Sequence, residues 1–168
     1  MTTDSTAPTA STWLTAEAHA RLVADLEDMT GPQRAHIVGR IEAAREEGDL
    51  KENGGYHAAK DEQGKLEARI RQLTALLRDV RVGETPTGDV VEEGCLVTVD
   101  YGDADAETFL FASRENATDE GGKIGAVDVY SPESPIGQAI LGHKAGDQVT
   151  FGPRSITVTI TSIGPYTA

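Results

Sequence analysis

The sequence predicts an α+β protein in two parts. An N-terminal antiparallel helical hairpin, a coiled coil, is followed by a small C-terminal antiparallel-sheet domain. Three observations carry this expectation. Tyr56, Ala59, Gln63, Leu66, Ile70, Leu73, Leu77 and Val80 recur in alternating three- and four-residue steps, which is a heptad seam. From Cys95 onward the period shortens to two, and Ile156-Thr-Val-Thr-Ile-Thr161 alternates with β-branched residues throughout. The charge also divides unevenly, with −3 over residues 1–81 and −10 over residues 82–168.

The bulk numbers narrow the function classes. A chain of 168 residues has room for one ordinary domain or two small ones. Only 5% of the residues are aromatic, so a large aromatic-lined pocket is not expected. The acidic second half is a poor match for broad nucleic-acid binding. A single cysteine, Cys95, excludes an internal disulfide and suits a reducing compartment. No segment approaches the roughly 18 apolar residues of a membrane span, and the N-terminus lacks the apolar core of a secretory signal. The expectation is a soluble, cytoplasmic monomer with no membrane partner.

In chain order, residues 1–12 hold no large apolar side chain after Met1 and are expected to form a disordered tail. The hairpin occupies residues 13–82. Thr15 is a plausible N-cap, with Glu17 in the first turn where the helix dipole favours an acid. Leu22, Leu26 and Met29, then Ile37, Ile41 and Ala44, describe one helix from about 15 to 47. Gly31-Pro32 is expected to kink it. The seam from Tyr56 forms the second arm. Arms of about 30 residues would each be roughly 45 Å long, and a short connection between them leaves only antiparallel pairing. Residues 83–93, rich in glycine, proline and charge, read as a linker. The domain over 94–168 is expected to hold strands at Cys95–Asp100, Glu107–Ser113, Ala126–Tyr130, Gln148–Phe151 and Ser155–Ile163, with a short helix near Ile136–Leu141.

The hairpin tip, at about 47–55, concentrates the chemistry. Asp49 and Glu52 are three residues apart, a spacing that sets two carboxylates on one side of a helix start. The same spacing is that of a capping box, with Asp49 as N-cap and Glu52 at the third helical position. Hard cations take oxygen ligands, but two exposed carboxylates are too few for a tight private site. They suit a cation that another protein also holds.

The stretch Gly48-Asp49-Leu50-Lys51-Glu52-Asn53-x-x-Tyr56-His57-Ala58-Ala59 resembles the tip motif of bacterial Gre-type transcript cleavage factors. A second motif of that family is matched by Ser131-Pro132-Glu133-Ser134-Pro135-Ile136-Gly137-Gln138-Ala139-Ile140-Leu141-Gly142 and the Ala145-Gly146-Asp147 turn. The likeness runs from about Trp13 to Tyr166 and is nearer to the GreA branch. Gly54-Gly55 departs from family members that carry bulkier residues there.

The resemblance implies a C-terminal domain similar to FK506-binding proteins and a factor that binds RNA polymerase. Its coiled coil would enter the secondary channel and stimulate the polymerase's own cleavage of backtracked RNA at the nascent 3′ end. Asp49 and Glu52 would then be catalytic in trans, steadying an Mg²⁺ held jointly with the polymerase. The factor itself would not be an enzyme and would bind no metal tightly alone. Lys51, Asn53, Tyr56, His57, Lys60, Lys65 and Arg69 are candidate contacts to RNA or the channel, although Tyr56 also opens the seam and the charged residues also suit a solvated face. Ser134, Pro135, Ile136 and Gly137 are candidates for polymerase docking, or else a loop and helix start packed on the sheet.

Two other readings compete. A channel-binding inhibitor of polymerase would share the fold, but departures of that kind alter the tip acids, and here both are present. A peptidyl-prolyl isomerase needs an aromatic-rich pocket. The C-terminal domain offers Tyr101, Phe109, Phe111, Tyr130, Phe151 and Tyr166, with Trp13 expected to lie outside it.

Overall fold

The computed structural model describes residues 11–48 and 52–167. Asp49, Leu50 and Lys51 lie outside the described residues, as do residues 1–10 of the expected tail and Ala168. The chain forms two compact units. One is His19–Asp79, and the other combines the N-terminal stretch up to Ala18 with Val80 onward.

The helical unit grows from α1 (Ala16–Asp28), α2 (Arg34–Glu46) and α3 (Gly54–Arg78). The N-cap of α1 is Thr15, whose hydroxyl accepts the Ala18 N–H at 3.0 Å. Between α1 and α2 the helix does not break at Gly31-Pro32. Met29–Gln33 form one π-helical turn with Pro32 inside it, and the Arg34 N–H reaches the carbonyls of Gly31 and Met29. The wider turn accommodates a residue that has no N–H to donate.

α2 and α3 pack through Ile37, Ile41, Ala59, Leu66 and Ile70, with Leu26, Met29 and Tyr56 at the margin. The cross-links between them run in opposite directions along the two helices, so the pair is antiparallel. Arg34 meets Glu67 at 2.8 Å, Arg40 meets Glu62 at 2.6 Å, and Asn53 reaches Ala44. Both arginines are bidentate. Hydrogen bonds from the guanidinium groups hold the Glu62 and Glu67 carboxyls below the usual carboxylate range. These pairs are solvent-accessible, so they set register more than they add stability.

The sheet unit begins with two short strands far apart in sequence. β1 (Thr12–Leu14) pairs in parallel with β2 (Val80–Val82), Thr12 opposite Val80. Thr12, expected in the tail, therefore starts a strand. The main sheet contains β3 (Cys95–Asp100), β4 (Ala106–Phe111), β5 (Lys123–Ile124), β6 (Val127–Tyr130), β7 (Gln148–Phe151) and β8 (Ile156–Pro165). Its order is β5-β6-β4-β3-β8-β7. All neighbours are antiparallel except β4 and β6, which run parallel. The expected all-antiparallel sheet is thus antiparallel-rich and mixed, because the chain crosses over between Phe111 and Val127 instead of turning back as a hairpin.

The second half of β4, Phe109–Phe111, reads as an apolar run because both of its faces are covered there. Phe109 and Phe111 enter the main core with Val91, Cys95, Val97, Val99, Ile136, Ile140, Val158 and Ile160. Leu110 points the other way, into a cluster with Trp13, Ala112, Ile124 and Val129. Trp13, expected outside this domain, is thus part of its core and only 3% exposed. Its indole N–H donates to the Glu84 carbonyl at 2.8 Å. Gly94, at φ +96°, lies against the ring so closely that a Cβ would stand 2.8 Å from Cε2. Asn116, fully buried, accepts the Thr15 N–H and donates to the Trp13 carbonyl. The stretch over 83–93 is anchored at its end: Val91 is buried and exchanges backbone hydrogen bonds with His143 and Gly142.

Candidate functional site

The tip is built from two helix ends. α2 stops at Glu46, and Gly48 takes φ +111°, the left-handed conformation that ends helices at little cost when the residue is glycine. α3 starts at Gly54, and its N-cap is Asn53, whose side-chain oxygen accepts the Tyr56 N–H at 3.1 Å. This corrects the capping-box expectation: Asn53, and not Asp49, caps α3, so Glu52 lies outside the helix. Glu52 is exposed in the turn immediately before the cap. Asp49 falls outside the described residues.

Asn53, a candidate contact to RNA or the channel, makes its side-chain hydrogen bonds within the chain. Besides capping α3, its Nδ2 donates to the Ala44 carbonyl at 2.9 Å. Tyr56 is half-buried against the helical core and lies edge-on to His57, with ring centroids 5.5 Å apart. His57 is exposed. Lys60 donates to Gln63 at 3.1 Å, Lys65 pairs with Asp61 at 3.0 Å, and Arg69 donates to Gln72 at 2.8 Å. Those are contacts along one helix, and they leave all three cations near the surface. Glu62 and Glu67 turn instead to the arginines of α2.

Among the described residues no three His, Cys, Asp or Glu side chains gather as a metal site. Glu52 is an exposed carboxylate, an oxygen donor of the kind that hard cations take.

The early glycines of α3 differ from each other. A Cβ on Gly54 would meet open space, whereas one on Gly55 would stand 3.3 Å from the Asn53 side-chain oxygen. Gly54→Ala should raise the melting temperature of the helical unit, with a gain of up to about 1 kcal/mol. Gly55→Ala should gain less than that, because the new methyl presses on the cap. Thermal unfolding followed by circular dichroism measures both.

The second motif is a tightly packed turn in the sheet unit. α4 (Pro135–Ile140) is capped by Ser134, whose Oγ accepts the Gly137 N–H at 3.1 Å and donates to the Ser131 carbonyl at 2.6 Å. Of the four docking candidates, Ile136 is 6% exposed and belongs to the core, and Gly137 is buried against the Ser131 backbone. Those two hold the turn and do not form its outer surface. Pro135 is exposed and Ser134 half-buried.

Sequence reasoning overlooked Glu107. Its two carboxylate oxygens accept the phenol hydrogens of Tyr101 at 2.8 Å and Tyr130 at 2.6 Å. Burial and that carboxylate push the Tyr130 phenol up to about 12 and raise Tyr101 as well. A folded-state value above the unfolded one means stability that is complete below the ordinary tyrosine range and is lost as pH rises from that range through the raised folded-state value. Glu107→Gln should therefore bring the Tyr130 titration down, as read from phenolate absorbance in the folded protein. Glu107 belongs to no recognisable motif. The only available signal was an acid two residues ahead of the apolar run Phe109–Phe111.

Comparison with known proteins gives these residues a family. The model of the N-terminal domain of transcription elongation factors matches residues 12–82, and the GreA/GreB C-terminal model matches residues 85–165. The chain belongs to the GreA/GreB family of transcription elongation factors.

It is 50% identical over 161 residues to transcription elongation factor GreA of Streptomyces coelicolor, covering 92% of this chain and 94% of that one. To GreA of Rhodococcus erythropolis it is also 50% identical over 161 residues, covering 92% and 95%. Among solved structures, the GreA factor homolog 1 protein of Thermus thermophilus is 25% identical, covering 91% of this chain and 98% of that one with a TM-score of 0.41. The GreA/GreB assignment makes this chain a transcription elongation factor. Among its described residues, no helix is long and apolar enough to cross a membrane.

Proposed function

We propose that this chain binds RNA polymerase and carries its hairpin tip into the secondary channel, where it stimulates the polymerase's own cleavage of backtracked RNA. The observation that carries this reading is an exposed carboxylate, Glu52, at the closed end of a helical hairpin in a GreA/GreB-family chain. The 25-residue α3 is about 37 Å long, a suitable length for a probe that works away from its own base.

In this reading Asp49 and Glu52 bring two negative charges to the polymerase active centre and act there as partial ligands. Mg²⁺, held jointly with the polymerase, would supply charge stabilisation during phosphoryl transfer when bound. Lys60, Lys65 and Arg69 offer cations to RNA phosphates or the channel wall, an attraction that salt would weaken. Pro135 and the outer edge of its turn would face the polymerase, held by Ser134, Ile136 and Gly137 from beneath. The factor would complete an active site in trans and be no nuclease by itself.

Stalled, backtracked elongation complexes carrying 5′-labelled RNA test this. Adding the protein with Mg²⁺ should shorten the RNA and allow it to be extended again. Suppressed elongation without shortening would identify an inhibitor instead, and no effect on either would reject the proposal.

A further inference from the structure

The side-chain amide of Asn53 joins two helix ends. Its oxygen accepts the Tyr56 N–H at 3.1 Å, which caps α3. Its nitrogen donates to the Ala44 carbonyl at 2.9 Å, one of the final carbonyls of α2 that have no partner within the helix. One planar group thus ties the last turn of one arm to the first turn of the next across a nine-residue separation. Few residue types can do this. Aspartate and serine cap helices about as well, but neither carries an amide N–H pair for Ala44 alongside the accepting oxygen. The bare Cα of Gly55 leaves the amide its room, since a Cβ there would approach its oxygen to 3.3 Å. Asn53 also holds its own backbone extended, at φ −83° and ψ 98°, so the direction in which the chain leaves toward Glu52 is set by this residue.

We infer that Asn53 is a positioning residue for the tip acids: it clasps the two arms so that Glu52 is presented in a defined place, and it does not itself contact RNA or the channel. The inference rests on the proposed role of Glu52 in the polymerase. It differs from a capping role alone, because the cap needs only the Tyr56 hydrogen bond and the clasp needs Ala44.

Asn53→Ser separates the two, keeping an N-cap acceptor and losing the link to Ala44. The full-length variant should retain its melting temperature, and the concentration that half-saturates polymerase should stay within about twofold of wild type. The maximal rate of RNA shortening should fall by about tenfold or more, as expected when a catalytic group is misplaced but still present. The Mg²⁺ concentration for half-maximal shortening should rise. Amide hydrogen exchange of the free protein should accelerate at residues 45–48 and 52–57, with Leu66–Leu73 unchanged.

A raised half-saturating concentration with an unchanged maximal rate would overturn the inference by making Asn53 a binding contact. Unchanged exchange at the tip would overturn the clasp regardless of activity. Equal shortening by wild type and Glu52→Ala would instead reject the role of Glu52. That result would remove the catalytic half of the inference, and the exchange result would still decide the clasp.

Discussion

Replacing either tip acid, Asp49→Ala or Glu52→Ala, should reduce stimulated RNA cleavage on the order of a hundredfold while polymerase binding persists. That size is what the loss of one preorganised electrostatic group in a water-poor active centre typically costs. The two substitutions should not add, because in the proposed role both carboxylates would act on one shared cation, and removing the first would disable most of what the second does. Binding should survive, since Glu52 is exposed and contributes nothing to the helical core around Ile37, Ile41, Leu66 and Ile70. Competition against labelled wild-type protein for the polymerase measures the binding arm. Glu52→Gln sharpens the comparison, keeping size and hydrogen-bonding capacity while removing charge. It should fail nearly as badly as alanine.

The second large effect is expected far from the tip. Gly137→Ala should destabilise the sheet unit by about 3 kcal/mol or more, the upper range for overpacking a closed site. A Cβ at this position would collide with the Ser131 carbonyl oxygen and stand 2.9 Å from both the carbon of that carbonyl and the Ser134 oxygen. Neither neighbour can yield cheaply. Ser131 is backbone, and Ser134 is fixed by accepting from Gly137 and donating to Ser131. The turn carries Ile136 and Ile140 into the core beside Phe109 and Phe111, so displacing α4 opens that core. With a total stability of about 5–15 kcal/mol for an ordinary domain, such a loss is large. Denaturant unfolding followed by the fluorescence of Trp13, which lies in the sheet unit's core, should show the midpoint fall sharply. The helical unit, followed by circular dichroism at 222 nm, should change much less.

The two-part architecture was legible because its elements carry strong local periods. The seam from Tyr56 repeats without a break to Leu77 within α3, although Val80, its expected last position, instead starts β2, and β8 alternates β-branched residues over most of its length. The strands that were missed, β1, β2 and β5, hold only two or three residues each, too few to express a period. β1 and β2 also depend on a pairing between Thr12 and Val80 that no local pattern announces. That pairing explains the misplacement of Trp13, which sits near the hairpin in sequence but packs with Leu110 and Val129. The parallel pairing of β4 with β6 was hidden for a similar reason, since crossover and turn look alike in the residues between them.

At the tip, residue types were readable and their division of labour was not. Asp49 and Asn53 are both good helix caps, and sequence alone cannot choose between them. The choice follows from the Ala44 carbonyl, nine positions away and within reach of the Asn53 amide. Once Asn53 takes the cap, Glu52 stands ahead of the helix and is free of that duty. Likewise, no local pattern shows that Glu62 and Glu67 reach across the hairpin to Arg40 and Arg34, whereas Asp61 pairs with Lys65 on its own helix.

The central claim is that this tip reaches the catalytic metal of the polymerase. Substituting Fe²⁺ for Mg²⁺ in the polymerase active centre and generating hydroxyl radicals there tests it directly, because the radicals cut nearby polypeptide. With the full-length protein bound, cleavage of its backbone should concentrate between Gly48 and His57. Cuts confined to residues 82–168, or none at the tip, would contradict the claim.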